Sequence, residues 1–324
     1  MTRVIRVVLG GLLGGAALWL SLRDISSSML RAALVSVEPI WAIAAVIATL
    51  LAVVAVVARW QLLLRPAHVG TPVLARATLV GQMLNILLPF RLGEVARVYG
   101  VSRHGGPGVA RLTASLAIEK ALDLSIFGVT AGTLVGNALL PRGLLSERRW
   151  LTLPLVTIAF LGVMALAVRL KIGARIAAWL QASGGAPGRW MARLVAEVAN
   201  GLDAWRSAGH ATGALTWTVV VFVLAAAGNQ LLLLAFDMHL PLSAGFALLV
   251  VLQAGSVPPS LPGRLGIYNY LTVLTLGLYG VGRAEAATYS IALYITAYVP
   301  KLVLGALVAA DPTWRPSKTW TANA

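Results

Sequence analysis

The sequence contains no cysteine and few charged residues. Of its 324 residues, 11% are charged and 59% are hydrophobic. The absence of cysteine excludes disulfides, thiolate nucleophiles and zinc sites built from thiolates. About 25% of the residues of an average soluble domain are charged, so the composition also excludes that class. Most of the chain is therefore expected to be solvated by lipid.

Acidic residues are the scarcer kind of charge, with 11 Asp and Glu against 26 Lys and Arg and a net charge of +15. In a soluble protein this excess would suggest a nucleic-acid partner. Here the basic residues lie between apolar segments, so we expect no nucleic acid. They are typical of positive-inside loops and of attraction to anionic lipid headgroups. The 4 histidines have no metal-ligand spacing, and we expect neither a metal nor a cofactor.

The long apolar runs predict an all-α, polytopic transmembrane bundle that forms a single transmembrane domain over 1–324. A span needs about 20 apolar residues. The first run follows two arginines, as in a signal peptide, but no clear cleavage site ends it, so we interpret it as a retained span. The predicted full spans, about six, are 4–22, 40–64, 108–138, 150–170, 211–236 and 284–309.

A short motif occurs twice and interrupts two further apolar stretches, 71–101 and 241–280. The segment Leu88–Gly93 (LPFRLG) returns as Leu261–Gly266 (LPGRLG), and the two prolines are 173 positions apart (262 − 89). Such breaks persist in a membrane only where protein or water surrounds the freed backbone, and a pair of them indicates a transport site. The residues predicted to break the helices are Pro89, Gly93, Pro262, Gly263 and Gly266.

Each broken stretch is either one full span or a re-entrant hairpin that enters and leaves on the same side. With both termini in the cytoplasm, the hairpin alternative places most loop arginines, Arg59 among them, on the inner side, as the positive-inside rule favours. It also makes 40–138 and 211–309 two repeats of opposite orientation. Between them, 171–207 is basic and mixed. It is either a cytoplasmic pair of amphipathic helices or a linker with interfacial anchors.

The first motif is followed by charged residues at helical spacing. Arg91, Glu94 and Arg97 would project to about one helix face. Glu94 would neutralise one arginine and leave the other for an anion such as phosphate, which suits a guanidinium. The alternative is an Arg–Glu pair that only holds the hairpin together. On the next span, Glu119 and Asp123 share a face, and they form either a proton relay or a structural salt bridge.

The second motif lacks the acid of the first. Ile267 stands at the position of Glu94, so Arg264 needs an anion, a distant carboxylate or water. Three polar residues on neighbouring spans, Asn229, Gln230 and Lys301, are more commonly used for hydrogen bonds between helices.

These motifs resemble the transmembrane region of lysylphosphatidylglycerol synthases, over roughly residues 5–310. The resemblance implies that this region translocates a phospholipid, while a separate soluble domain makes the aminoacyl lipid. It predicts a stand-alone, flippase-like membrane protein without that synthase domain. The matching residues are Asn85-x-x-Leu88-Pro89-x-Arg91-x-Gly93-Glu94-x-x-Arg97, then Glu119-x-x-x-Asp123, then Pro262-Gly263-x-x-Gly266.

Three functions fit the sequence. The first is translocation of a membrane phospholipid or a lipid-linked anionic headgroup across the bacterial inner membrane. The second is a membrane-embedded transferase acting on a polyprenyl-phosphate lipid, with the same carboxylates as metal ligands or bases. The third is a non-catalytic partner of a lipid-synthesis enzyme. No catalytic set is readable, so we expect no enzyme. The predicted substrate-binding residues are Asn85, Arg91, Glu94, Arg97, Glu119, Asp123 and Arg264.

Overall fold

A computed structural model of the chain describes residues 37–88, 91–136, 172–183, 208–255 and 266–311, together with Trp314 and a few positions between 185 and 196. Every regular element in these ranges is a helix, which confirms the all-α prediction. The predicted spans 4–22 and 150–170 lie outside the described residues. The helices are α1 (Pro39–Leu63), α2 (Thr71–Leu87), α3 (Gly93–Arg103), α4 (Val109–Gly136), α5 (Ile172–Ser183), α6 (Ala208–Ala235), α7 (Leu242–Gly255), α8 (Ile267–Gly277) and α9 (Arg283–Ala310).

Among these helices, three are long and apolar enough to cross a membrane. They are α1, residues 209–235 of α6, and α9, with 25, 27 and 28 residues. The helix α4 is also 28 residues long, but it carries four charged side chains, all within its first fifteen residues. All four helices begin and end within about three residues of the predicted bounds, because the length of an apolar run sets the length of a span.

The two broken stretches form helical hairpins. In the first hairpin, α2 and α3 run antiparallel, since Gly81 lies against Arg97 and Ala77 against Gly100. In the second hairpin, α7 and α8 are antiparallel too, and the Tyr279 hydroxyl donates to Ser243 Oγ across their open end at 3.4 Å. The 11 residues of α3 or α8 cover only about 16 Å, half of a bilayer core. Each hairpin thus returns to the end of the bundle where it starts.

Among the described helices, the most extensive contact lies between α1 and α6, which run antiparallel. The Glu38 N–H donates to the Ala235 carbonyl at 2.8 Å, so the start of α1 meets the end of α6. At the other end, Leu62 packs against Gly213. The first hairpin follows the end of α1 and the second follows the end of α6. The two hairpins therefore enter the bundle from opposite ends.

The helix neighbours follow the same pattern in the two halves of the chain. Exchanging α1 with α6, α2 with α7, α3 with α8 and α4 with α9 maps the α1–α6 pair onto itself and every other prominent pair of described helices onto a second such pair. The α2–α9 pair, for example, maps onto α7–α4. The short helices α3 and α8 have equal lengths, as do α4 and α9, and both pairs start 174 residues apart (267 − 93 and 283 − 109).

The predicted linker 171–207 contributes α5 to the described residues. This helix buries Ala177 and exposes Ile176 and Trp179. An exposed tryptophan beside basic residues is typical of a membrane-surface helix, and that placement stays a prediction.

Candidate functional site

The first hairpin contributes to a group of charged side chains from three helices. The group has three basic and three acidic members, and we call it the charged cluster. Its members are Arg59 of α1, Glu94 and Arg97 of α3, and Glu119, Lys120 and Asp123 of α4.

Arg97 and Glu119 form the buried centre of the charged cluster. Arg97 donates from Nη1 to Glu119 Oε1 at 2.9 Å and from Nη2 to Oε2 at 3.1 Å. It also donates from Nη1 to Glu94 Oε2 at 3.2 Å. This two-pronged pairing is the strong geometry for a guanidinium and a carboxylate. An anion that binds Arg97 directly would therefore have to displace Glu119, so the predicted role of Arg97 as a phosphate ligand competes with this pair.

Arg59 joins the cluster from α1, and the sequence analysis missed it. Its Nη1 lies 2.6 Å from Asp123 Oδ1 and its Nη2 lies 3.4 Å from Glu119 Oε1. Nη1 also donates to Thr218 Oγ1 of α6 at 3.2 Å. Arg59 is 1% exposed, so its placement in a cytoplasmic loop was wrong. The available signal was its position within an apolar span, where an arginine needs an acid.

Glu94 connects the buried centre to the surface of the cluster. Its Oε1 lies 3.0 Å from Lys120 Nζ, and the side chain of Lys120 is 41% exposed. Lys120 Nζ also lies 3.5 Å from Glu119 Oε1 and 3.9 Å from Asp123 Oδ2. Lys120 thus contacts all three acids, and it is the cation of the cluster that solvent or a ligand reaches most easily.

Asn85 and two glycines position these charges. Asn85 Oδ1 accepts the Gly93 N–H at 2.8 Å, and its Nδ2 donates to Glu94 Oε1 at 3.4 Å. A Cβ on Gly93 would overlap the Gly81 carbonyl oxygen, so only glycine allows α2 and α3 to approach this closely. Asn85 therefore acts across the break as a cap for α3.

Trp60 forms the apolar side of the cluster. The Arg97 Cζ lies 4.2 Å from the centre of the indole ring, a cation–π distance. The indole Nε1–H donates to Ser115 Oγ at 2.9 Å, which fixes the ring on α4. Trp60, which directly follows Arg59 in the sequence, thus supports the guanidinium of Arg97 with its ring.

A cavity of about 690 Å³ opens beside the cluster, between α4 and the end of α7. Arg91 is in the turn before α3 with φ of 53°, in the left-handed region that non-glycine residues rarely adopt. Arg91, with this left-handed backbone, lies at a wall of the cavity. The lining combines basic, acidic, amide and apolar groups, and it consists of Arg91, Lys120, Asp123, Leu124, Phe127, Gln253 and Ala254.

The second break is described only in part. Gly266 has φ of 88° and precedes α8, a conformation that favours glycine. The Asn269 side chain accepts the Gly266 N–H at 3.4 Å and donates to Ser290 Oγ at 2.8 Å. Pro262, Gly263 and Arg264 lie outside the described residues, as does Pro89 in the first break. The predicted substrate contact of Arg264 stays a prediction.

Two polar residues predicted to link helices do so. Asn229 Nδ2 donates to the Gly245 carbonyl at 3.0 Å, and Gln230 Nε2 donates to the Leu240 carbonyl at 2.8 Å. Both bonds join α6 to α7 or its preceding turn. In the part of the chain that the structure describes, no three His, Asp or Glu side chains are grouped as metal ligands.

The helices and the charged cluster define a multi-pass membrane protein with ionisable groups at membrane depth. The family model described as Lysylphosphatidylglycerol synthase TM region matches residues 7–305, and the chain belongs to this family. The match confirms the resemblance seen in the motifs and implies a function concerned with membrane lipids. A search of curated proteins gives no match.

Proposed function

We propose that the protein translocates a phospholipid, or a lipid with another anionic headgroup, between the two leaflets of a bacterial inner membrane. Both termini are assigned to the cytoplasm, and the protein acts as a carrier rather than an enzyme. Membership of the family supports a lipid as the substrate.

The observation that carries this proposal is the mixed lining of the cavity beside the charged cluster. Arg91 and Lys120 supply positive charge, whereas Leu124 and Phe127 supply apolar surface. A phospholipid has the same two parts, an anionic phosphate and apolar chains. Charged residues within membrane segments are costly and mark substrate pathways. The leucine is 63% exposed, so an acyl chain can lie along it.

The ion pairs suggest how the charges are balanced with and without substrate. Without a ligand, Glu94 and Asp123 neutralise Lys120 at 3.0 and 3.9 Å. A phosphate that binds Lys120 would take the place of Glu94, and Glu94 would retain its contact with Arg97. Arg59 and Arg97 would keep Glu119 in place. In this scheme the buried arginines position the acids, and Arg91 and Lys120 contact the phosphate.

The architecture supports a carrier. Equivalent helices have equivalent neighbours, and the two hairpins enter from opposite ends of the bundle. We infer that 40–138 and 211–309 are inverted repeats. Inverted repeats with broken helices are common in transporters, which place the substrate site at the repeat interface. The cavity lies at such an interface, since α4 belongs to one half and α7 to the other.

The test is lipid scrambling in liposomes. Purified protein is reconstituted with a fluorescent phospholipid, and a membrane-impermeant quencher reports the label in the outer leaflet, with and without a pH gradient. We expect the wild-type protein to exchange lipid, and Lys120→Ala and Arg91→Ala to slow exchange by about tenfold or more, the value of one charge-assisted hydrogen bond. Arg103→Ala is the matched control, because Arg103 stacks on Tyr99 at 5.3 Å and does not line the cavity.

The same experiment separates the other two functions. Wild-type exchange at the rate of empty liposomes under both conditions would overturn the proposal. A covalently changed lipid would favour a transferase. An inactive protein that copurifies with a lipid-synthesis enzyme would favour the role of a partner. Equal rates for all variants would overturn the assignment of Arg91 and Lys120 alone.

A further inference from the structure

A second, smaller cavity lies on the other side of α7. Its volume is about 280 Å³, and it is lined by residues of α1, α6, α7, α8 and α9. Gln253 lines this cavity as well as the first one. The last two turns of α7 therefore form the wall between the two cavities, with Ala254 lining the first and Leu249 and Leu252 lining the second.

The polar lining of the second cavity is suited to an anion. Among the described residues that line it, Lys301 is basic, Gln253 and Asn229 carry amides, and Tyr268 and Tyr298 carry phenols. None of the described lining residues is acidic, in contrast to the first cavity with its Asp123. Ammonium, amide and phenol groups are all able to donate hydrogen bonds to phosphate oxygens.

The tyrosines of this cavity are held in fixed positions. The ring of Tyr268 packs edge-on against Tyr298 at 5.3 Å and against Tyr294 at 5.9 Å. The rings of Tyr294 and Tyr298 are 4.7 Å apart. Such contacts fix ring orientation, so the hydroxyl groups are placed before any ligand arrives.

Lys301 lies at the depth of Lys120. It is nine residues before the end of α9 (310 − 301), about 14 Å along the axis. Lys120 is eleven residues after the start of α4 (120 − 109), about 17 Å. Both depths are near the middle of a bilayer core of about 30 Å.

Both distances are measured from the same end of the bundle. Arg76 Nη1 lies 3.6 Å from Asp311 Oδ2, which joins the start of α2 to the end of α9. Arg111 Nη2 donates to the Leu64 carbonyl at 3.2 Å, which joins the start of α4 to the end of α1. The two cavities therefore lie side by side at one depth.

We propose that the second cavity is a second binding subsite for the lipid phosphate, with Lys301 as its cation and Gln253 common to both subsites. This inference rests on the proposed lipid translocation. A headgroup held by Lys120 in the first cavity would move sideways past Gln253 to Lys301 at constant depth. Because charged groups are costly at mid-membrane, two neighbouring cationic subsites would keep the phosphate partnered during that step.

The test is photocrosslinking in lipid nanodiscs. The probe is an anionic phospholipid analogue with a diazirine beside the phosphate, and mass spectrometry locates the adducts. We expect adducts on α4 near Leu124 and on α9 near Tyr298. Lys301→Gln should reduce the α9 adduct by about tenfold or more, as expected for a lost charged hydrogen bond. It should leave the α4 adduct unchanged, which shows in the same sample that the variant is folded.

Lys301→Arg is the matched control, because it retains the charge and should retain the α9 adduct. An α9 adduct of wild-type yield in Lys301→Gln, or its absence from a wild-type protein that exchanges lipid, would overturn the second subsite. Excess inorganic phosphate distinguishes the source of the anion. Survival of the α9 adduct supports a lipid headgroup, whereas its displacement overturns the lipid assignment. The adduct yield reports how much lipid was bound before irradiation, so it does not depend on whether transport occurs.

Discussion

Arg97 donates to the carboxylate of Glu119 from two nitrogens, one to each oxygen, at 2.9 and 3.1 Å. Their side chains are 4% and 2% exposed. The pair joins α3 of the first hairpin to the long helix α4. Removal of one partner of such a pair leaves a buried charge without compensation, which costs far more than the pair itself contributes.

Glu119→Gln is expected to destabilise the protein by about 3 kcal/mol or more, the range for a broken buried pair. Both Arg97 and Arg59 lose their contact with the charge of Glu119. Thermal unfolding in detergent micelles measures the loss. Glu285→Gln is the control, because Glu285 is exposed in the first turn of α9. Equal melting curves for the two variants would contradict the central role of Glu119.

The Arg59–Asp123 contact of 2.6 Å predicts strong coupling between two helices. We expect Arg59→Gln and Asp123→Asn each to be destabilising, and the double variant to be less so than their sum. The expected coupling is about 1 to 3 kcal/mol, the upper part of the range for contacting residues. A double-mutant cycle of unfolding free energies gives this value. Additive effects would show that Asp123 has another main role, such as a proton relay.

Gly93→Ala tests the close approach within the first hairpin. A methyl group there would overlap the Gly81 carbonyl oxygen and lie 2.6 Å from Asn85 Oδ1. We expect overpacking to lower the free energy of unfolding by about 1 to 3 kcal/mol. We also expect slower lipid exchange, because Arg91 and Glu94 lie within two residues of Gly93. Gly277→Ala is the control, since nothing lies within 4 Å of a Cβ there. It should melt and transport like the wild-type protein.

Trp60 offers a graded test of the support behind Arg97. Trp60→Phe keeps an aromatic face for the guanidinium and loses the 2.9 Å hydrogen bond to Ser115. We therefore expect the free energy of unfolding to fall by about 1 kcal/mol. Trp60→Leu also removes the ring itself and should cost more. Unfolding free energies rank the two variants. Equal losses for the two variants would show that the indole N–H, which both variants lack, and not the ring face stabilises the cluster.

The sequence predicted the long helices well because one local property determines them. An apolar run must cross the bilayer as a helix, so 40–64 became α1 and 284–309 became α9 within a residue at each end. Pro and Gly, the residues that interrupt helices, also act locally. As expected, α2 ends just before the first motif and α3 begins at its last residue.

The charged cluster was harder to predict because its contacts join distant parts of the chain. Arg59 and Asp123 are 64 residues apart in sequence, and no local pattern indicates that they meet. The positive-inside rule counted Arg59 with the loops, although it lies inside α1. Glu94 and Arg97 pair as their spacing suggests, but the stronger partner of Arg97 is Glu119 on another helix.

The antiparallel contact of α1 with α6 means that each half of the chain completes the other. Small residues form it: Gly228 lies against the carbonyl of Ala45 and the side chains of Ala48 and Thr49. In the part of the chain that the structure describes, each of these helices has its close backbone contact in the other half. Separately expressed N-terminal and C-terminal fragments are therefore expected to associate through this seam, as the subunits of a dimer do.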